Sequence, residues 1–523
     1  MAPLDSDGQA YFKELQAHLP KIWEALESGL PWDHTSVVVP SLSFHPEELK
    51  KIPGGPFYEE RLLFSLIRLR HPRARVIYLT SQPIHPDIVD YYLQHLYGVP
   101  SSHARARLRL MCVYDASNRP LTQKILERPR VMQRLRDEIG DPERAYLTCF
   151  NSTRLERQLA MELGIPLNGV DPDVLHLGSK SGSRKIFKEA GVGLPLGFED
   201  VHTEEEIIEA LVELSQQRPG LKRAVIKLNE SFAGAGNAMF NFPSGLSSDK
   251  RFARASITAV LHQLEWSAEE AYEDFLRKLK EMGGIVEEYL QAEDIRSPSV
   301  QMRINPGGTL ELISSHDQVL GGPTGQAYQG CRFPSWDDYR SLIQEEAGKI
   351  GKVLREKGVI SRFAIDFVVF PDKDDPSQWQ ARAIEINLRM GGTTPPFLAL
   401  QFLTGGELRG DGEFISDHGQ KKYYYATDSL RSPRYRGLLP EDFMDILTLH
   451  GLHFMPSTET GVIFHMIGAL SEFGKVGVTC IGNSREEANE LFQQTVEVLD
   501  KEADGATLSV PHRPFDKGLR RIE

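Results

Sequence analysis

The sequence is poor in the features that mark secreted, membrane-spanning or nucleic-acid-binding proteins. It has 4 cysteines in 523 residues, Cys112, Cys149, Cys331 and Cys480, and none forms a CxxC pair. Such spacing indicates neither a zinc site nor a disulfide framework, and the four read as buried thiols of a reducing compartment. No apolar run approaches the ~20 residues that span a bilayer. The opening stretch MAPLDSDGQAYF has neither the basic flank nor the apolar core of a leader segment. The expectation is a cytoplasmic protein with no membrane contact. Positive charge is also in deficit, with 60 Lys and Arg against 73 Asp and Glu and a net charge of -13. A surface that neutralises nucleic-acid phosphates needs the opposite balance, so no nucleic-acid partner is expected. Two nucleotide signatures are missing as well. No GxGxxG follows the first β-rich run, which disfavours a dinucleotide, and there is no GxxxxGK[ST] loop.

What is present is a chain long enough for about three or four domains. Its 40% hydrophobic and 25% charged residues are those of an ordinary globular protein rather than a disordered one. Residues 1–175 alternate β-rich runs (TSVVVPSLSF, RVIYLTSQPI, LRLMCVYD, AYLTCFNS) with helical patterns, the rhythm of a parallel sheet with crossover helices. One such helix starts at NST and runs through Leu155, Leu159 and Leu163 to a closing Gly164. Further on, a polar helix is predicted over 203–217, a strand at RAVIKLN, helical spacing over 252–282 and a strand at GIVEEYL. Sheet and loops are read over 296–335, a helix over 336–357 and a hairpin over 359–388. The Gly-rich stretch 405–420 reads as a mobile loop. The last 70 or so residues read as strand GVIFHMIGAL, turn SEFGK, strand VGVTCIG and a final helix.

The hairpin carries the strongest chemical signal. In FAIDFVVF, Phe363, Ile365, Phe367 and Val369 alternate with Ala364, Asp366 and Val368. In the second run, Glu385, Asn387 and Arg389 share the face opposite Ile384, Ile386 and Leu388. A polar turn centred near Asp375 and Pro376 would place Asp366 across from Glu385, with Cβ atoms ~5 Å apart. Two carboxylates so close repel each other, and a divalent cation between them removes the conflict. Asn387 adds a neutral oxygen, completing a donor set suited to Mg²⁺. Arg389 adds a fixed cation for a phosphate or an oxyanion. A solvated hairpin face is the bland alternative.

Three further segments carry weaker signals. VIKLNESFAGAGN puts Lys227 on an apolar strand ahead of Gly234 and Gly236, whose loop could close over phosphate oxygens. SKSGSRKIFKEAGVG sets Lys180, Arg184, Lys185 and Lys188 on a helix ending at Gly191; by itself this is a basic helix face. GGIVEEYL ends a strand in Glu287, Glu288 and Tyr289, which alone would be solvated acids. His316, Asp317, Gln326 and Gln329 lie in a polar, Gly-rich region between strands and are candidate substrate contacts. His465, on an apolar strand, reads as a core histidine rather than a base.

In this order and spacing, the four segments resemble the ATP-grasp family. Within it, EINLRMGGTT, DQVLGGPTGQAYQGCRFP and GVIFHMIGALSEFGKVGVTCIGNS resemble the branch of the pheganomycin-type peptide ligase and its relatives. The resemblance implies a multidomain α/β and α+β fold. An N-terminal parallel α/β domain (1–175) would precede a lid subdomain (176–285), a large subdomain bearing the metal hairpin (286–440) and a small C-terminal α+β unit (441–523). It also implies ATP as cofactor with Mg²⁺, two ions, or Mn²⁺ in its place. Lys180 and Lys227 would hold phosphates under a lid at Gly234 and Gly236. Glu287 would accept from the adenine amino group, the backbones of Glu288 and Leu290 would bond the ring edge, and Glu293 would meet the ribose. Asp366, Glu385 and Asn387 would ligate metal, with Arg389 and Lys227 catalytic. The implied reaction joins a small-molecule carboxylate to an amine, an amino acid or peptide, through an acyl phosphate. A homodimer is compatible with it. The alternatives are an ATP-grasp enzyme with a thiol or phosphoryl acceptor and a non-catalytic nucleotide-binding regulator.

Overall fold

The computed structural model describes residues 5–29, 31–44, 49–50, 52–230, 236–266, 271–321 and 327–505. Gly234 and Gln326 lie outside them. The first sheet comprises β1 (His34–Val39), β2 (Ala74–Thr80), β3 (Leu108–Cys112), β4 (Ala145–Cys149) and β5 (Leu167–Asn168), parallel throughout and ordered β3-β2-β1-β4-β5. β1 and β4 are buried along their whole length, as strands covered by helices on both faces must be. The predicted crossover helix is Arg154–Leu163. Thr153 Oγ1 accepts from Leu155 N at 3.1 Å, and Gly164 closes it at φ +67°.

A second, antiparallel sheet follows, formed by β6 (Gly197–Val201), β7 (Arg223–Leu228), β8 (Asn237–Asn241), β9 (Glu265–Trp266) and β10 (Gly284–Glu288) in the order β6-β10-β7-β8-β9. The helical spacing over 252–282 resolves into two helices, Lys250–Val260 and Tyr272–Met282, with β9 between them.

The third sheet has eight strands. β11 (Pro298–Ile304), β12 (Leu310–Gly321), β13 (Ala327–Phe333), β14 (Ser361–Pro371) and β15 (Trp379–Asn387) form one half. A small separate hairpin, β16 (Glu407–Leu408) and β17 (Phe414–Ile415), comes next in the chain. β18 (Tyr423–Arg431), β19 (Gly461–His465) and β20 (Lys475–Gly482) complete the large sheet in the order β15-β14-β11-β12-β13-β18-β20-β19. The closing α+β unit therefore extends the sheet that carries the β14–β15 hairpin. Helix Asp337–Glu356 packs Tyr339, Ile343, Ala347, Ile350 and Leu354 into the core beneath β11, β14 and β15.

Two local expectations are corrected. The Gly-rich stretch after 404 is the β16–β17 hairpin rather than an open loop. Its Phe414 is 1% exposed, and a Cβ on Gly406 would lie 2.3 Å from the Ile415 carbonyl oxygen, so only glycine permits the packing. The strand predicted through GVIFHMIGAL stops at His465, because Met466 turns into the left-handed region at φ 54°. A single apolar core joins the first sheet to the closing unit: Leu62, Leu66 and Tyr78 belong to it together with Phe443, Phe464 and Val478.

Candidate active site

A cleft of about 910 Å³ is lined by the second and third sheets, with Tyr58, Arg61 and Phe150 from the N-terminal part of the chain. Its floor is the predicted hairpin. Asp366 pairs with Glu385 across the ladder, and Ala364 pairs with Asn387, so the three oxygen donors share one surface. Asp366 is held by neighbours far away in sequence. Its Oδ1 accepts from Ser299 Oγ at 2.6 Å and Gln318 Nε2 at 2.8 Å, and its Oδ2 accepts from Asn387 Nδ2 at 3.1 Å. Burial first, and the charge of Glu385 second, push the Asp366 carboxyl above the usual carboxylate range. Burial also works against ionised Glu385, but Lys180, Arg389 and Lys227 hold it below that range.

Lys180 reaches Glu385 because its helix, Lys180–Glu189, is tied at both flanks. Ser179 Oγ accepts from Gly182 N at 3.0 Å, and Asn229, just after β7, accepts from Ser181 N at 2.9 Å. On the other side Ser183 Oγ accepts from Ile386 N at 3.0 Å, docking the helix on β15. Lys180 Nζ and the Glu385 carboxylate form an ion pair.

On the opposite wall, Glu287 of β10 bridges two cations. Its Oε1 accepts from Lys227 Nζ and its Oε2 from Arg184 Nη1, each at 2.7 Å. Glu287 thereby fixes Lys227, and both residues line the cleft. The Glu288 carboxylate likewise accepts from Leu196 N at 2.9 Å and Arg218 Nη2 at 3.2 Å. Glu288, Tyr289 and Leu290 line the cleft beside Pro195, Val225, Phe367 and Val368, an apolar slot next to the charged floor. Gly236, at φ +86°, leads into β8.

The remaining candidates separate. Arg389 lines the cleft, its guanidinium 6.0 Å from the ring centroid of Phe150, which follows β4 of the first sheet. Asp317 lines it too, but its oxygens accept from Tyr339 Oη at 2.6 Å and Trp336 N at 2.9 Å, a structural commitment. His316 is fully buried, with Nε2 2.5 Å from Tyr424 Oη, and burial pushes its pKa down to about 3. It does not line the cleft, and neither do Gln329 and Glu293, which are exposed. His465 is buried, as expected. Sequence reasoning missed Ser299, Gln318, Arg61, Asp428 and Lys475, all cleft residues. Ser299 lies opposite Asp366 on β11, a pairing between residues 67 apart that no local pattern announces.

The donor set fits a divalent ion. Two carboxylates and an amide oxygen are hard ligands, and the unrelieved repulsion at Asp366 is the charge imbalance a cation would correct. Among the described residues no cluster of three or more His, Cys, Asp and Glu side chains is arranged to hold a metal. An ion on this hairpin would therefore complete its shell from Asn387, water and a ligand's oxygens, as Mg²⁺ commonly does.

Comparison with known proteins gives consistent matches. The family described as IQCH-like, ATP-grasp matches residues 172–281 and 252–410, and the PGM1 C-terminal domain matches residues 442–495. L-propargylglycine--L-glutamate ligase of Streptantibioticus cattleyicolor is 30% identical over 463 residues, covering 87% of this chain and 92% of that protein. IQ motif-containing protein H of Danio rerio is 24% identical over 426 residues, 72% of this chain but 40% of that protein. The biotin carboxylase domain of Hydrogenobacter thermophilus 2-oxoglutarate carboxylase, in complex with MgADP, superposes with a TM-score of 0.53 at 13% identity, over 88% of this chain and 89% of that one. N5-carboxyaminoimidazole synthetase of Staphylococcus aureus with ADP gives 0.50 at 11% identity, over 90% and 98%.

Proposed function

Since the chain belongs to the ATP-grasp family, we propose that its cleft performs ATP-dependent ligation of a carboxylate to an amine, releasing ADP and phosphate. The observation that carries this reading is the convergence of Asp366, Glu385, Asn387, Lys180, Lys227 and Arg389 on one cleft beside an apolar slot. The adenine occupies the slot beside Pro195, Val225 and Leu290, and the triphosphate runs from there over Lys227 and Lys180. Asp366, Glu385 and Asn387 hold Mg²⁺, two ions in the full complex with Mn²⁺ able to replace them. Bound there, the metal neutralises phosphate charge.

The substrate carboxylate attacks the γ-phosphorus, an oxygen–phosphorus bond forms, and the bond to ADP breaks with its electron pair leaving on ADP. The obstacle is repulsion between two anions, and Lys180, Lys227 and Arg389 reduce it while aligning them. A neutral amine then attacks the acyl carbon. The carbon–nitrogen bond forms, phosphate leaves with its electron pair, and the nitrogen releases a proton to solvent. Arg389 stabilises the oxygen on which charge develops. The ion pairs Lys180–Glu385 and Lys227–Glu287 keep both lysines extended into the cleft before the nucleotide arrives.

The relative's name supports an amino acid on each side of the bond, as does the polar lining. The test is ADP and phosphate release with Mg²⁺ and pairs of L-amino acids, with the amide identified by mass spectrometry. Glu385→Gln is expected to abolish turnover while leaving the circular dichroism spectrum unchanged. Undiminished turnover in that variant would remove the hairpin from the chemistry, and phosphorylated substrate as the sole product would favour a phosphoryl acceptor.

A further inference from the structure

A cluster of cations with too few partners lies outside the cleft, where the N-terminal part of the chain meets the third sheet. Arg303 of β11 and Arg362 of β14 stand directly opposite each other in the ladder. By strand alternation Arg362 shares its face of β14 with Ala364 and Asp366, and it sits ~13 Å along the strand from Asp366. Like charges paired across a sheet repel each other. Glu311 does not resolve the conflict, because Arg303 and Asn305 already hold it. Its Oε2 accepts from Arg303 Nε at 2.8 Å and from Nη2 of the same side chain, and its Oε1 accepts from Asn305 Nδ2 at 2.7 Å. Arg362 Nη1 is buried and has no acceptor among the described residues.

The N-terminal part of the chain adds a third guanidinium and an aromatic wall. Arg68, near the end of the 3-10 helix Gly55–Arg70, donates from Nη1 to Ser36 Oγ at 2.6 Å and lies 5.7 Å from the ring centroid of Tyr146. Its charge reaches Arg362. Burial first, then Arg303, with Glu311 opposing and Arg68 adding to the repulsion, push the Arg362 guanidinium down to about 9, so it is still a cation at neutral pH. The Arg303 guanidinium lies 4.8 Å from the ring centroid of Trp23, on helix Leu19–Glu27. Trp23 Nε1 is a second buried donor with no acceptor among the described residues. Near Arg68, burial holds His34 below its ordinary pKa, toward the neutral form, and Asp33 is paired with Arg73 at 3.4 Å. Three arginines and one glutamate leave two positive charges uncompensated.

We propose that Arg68, Arg303 and Arg362 form a binding site for a tetrahedral oxyanion of two negative charges, inorganic phosphate or the terminal phosphate of a monoester, with Trp23 as a neutral donor at its edge. A dianion matches the excess charge, whereas a monoanion leaves one cation uncompensated. Two guanidinium groups from neighbouring strands and a third from the facing helix suit a tetrahedron better than a flat carboxylate, which a single fork satisfies. The bound anion ties the N-terminal part of the chain, through Arg68 and Trp23, to the strands that carry Ser299 and Asp366. None of its four side chains lines the cleft, and its occupancy does not depend on the reaction there.

The experiment titrates inorganic phosphate into the full-length protein by calorimetry, at fixed ionic strength and without nucleotide or metal. Phosphate should bind, and sulfate should compete with it at least about tenfold more strongly than chloride does, the effect of one charge-assisted contact. Arg362→Met should weaken phosphate by at least about tenfold. Arg68→Met should do the same from the other side of the junction, and it serves if Arg362→Met does not fold. Arg389→Met, in the cleft, should leave the affinity unchanged. Binding lost in Arg389→Met but kept in Arg362→Met and Arg68→Met would put the phosphate in the cleft and overturn the site, and equal competition by chloride would overturn the two-charge assignment. Glycerol phosphate in a parallel titration separates the sources: binding as tight as that of phosphate assigns the site to a monoester, weaker binding to the free ion. If the unaltered protein takes up neither, the proposal is wrong.

Discussion

Glu287 is the residue on which the β10 wall of the cleft turns. It is 2% exposed and meets Lys227 and Arg184 with one oxygen each. Removing one partner of a buried ion pair costs more than the pair contributes, because the survivor stays desolvated and unpaired. Glu287→Ala strands two cations and is expected to lower stability by about 3 kcal/mol or more. Lys227→Met leaves Glu287 paired with Arg184, so its cost in unfolding is smaller. Its effect falls on the ligand: losing one charge-assisted hydrogen bond, worth ~1.5 kcal/mol, raises the nucleotide dissociation constant about tenfold. Urea unfolding ranks the two variants, and nucleotide titration by calorimetry shows whether Lys227 touches phosphate. A larger unfolding cost for Lys227→Met, with unchanged affinity, would contradict both assignments. Sequence pattern found Lys227 and Glu287 but not that they pair with each other. A strand-end glutamate looks the same whether its carboxylate faces a base or a lysine, and only the register of β10 on β7, which sets Glu287 against Val225 and Ile285 against Lys227, decides it.

At the scale of the element, the helix Lys180–Glu189 is placed by glycine as much as by its serines. A Cβ on Gly182 would lie 2.0 Å from the His176 carbonyl oxygen, so the first helical turn sits directly on the preceding 3-10 turn, Pro172–Gly178. Gly182→Ala must push that turn away, costing roughly 1–3 kcal/mol by overpacking, and with it Lys180 should lose its aim at Glu385. The same substitution at Gly348, in helix Asp337–Glu356, meets nothing within 4 Å. There, alanine should stabilise by about 0.5–1 kcal/mol through helix propensity alone. Thermal unfolding of the two variants, with opposite signs expected, checks the packing directly. The β14–β15 hairpin was legible because period-two alternation and a polar turn specify both face and register within about twenty-five residues of chain. The β16–β17 hairpin was not legible: Gly-rich polar sequence is what loops use, and its order comes from Phe414 packing into a core assembled from distant segments.

In the whole molecule, the first sheet and the closing unit share one core, and buried titratable groups lie close to it. His95 is 6% exposed, its Nε2 finds no acceptor among the described residues, and burial pushes its pKa from 6.5 down to about 4. A depressed folded value means that its contribution to stability is complete above pH 6.5 and is lost as the pH falls through about 4. Glu60, also buried, accepts from Gly468 N at 3.0 Å, and burial raises its carboxyl from 4.5 to about 7. Its contribution is complete below pH 4.5 and is lost as the pH rises through about 7. Each contribution is worth roughly 3 kcal/mol. Between about pH 4.5 and 6.5 the two slopes are opposite, so in chemical denaturation the two contributions largely offset each other in the unaltered protein. His95→Phe is expected to make stability fall more steeply as the pH rises through this window, and Glu60→Gln to make it fall more steeply as the pH drops through it. Unchanged profiles would show that these groups do not stay neutral in the fold.

The amino-acid sequence by itself determined the class of elements, the β14–β15 hairpin with its facing carboxylates and the positions of two cleft lysines, because each depends on periodicity and spacing over short lengths of chain. Tertiary structure alone decided what those side chains meet. It set Ser299 and Gln318 on Asp366, turned Glu287 toward Lys227 and Arg184, withdrew His316 into the core, and brought Arg61 from the first sheet's side to Asp428 and Lys475 of the last. The physical reason is that pairing between strands and packing between sheets join residues hundreds of positions apart, and the free energy that selects those contacts is burial of shared apolar surface, which no local pattern encodes.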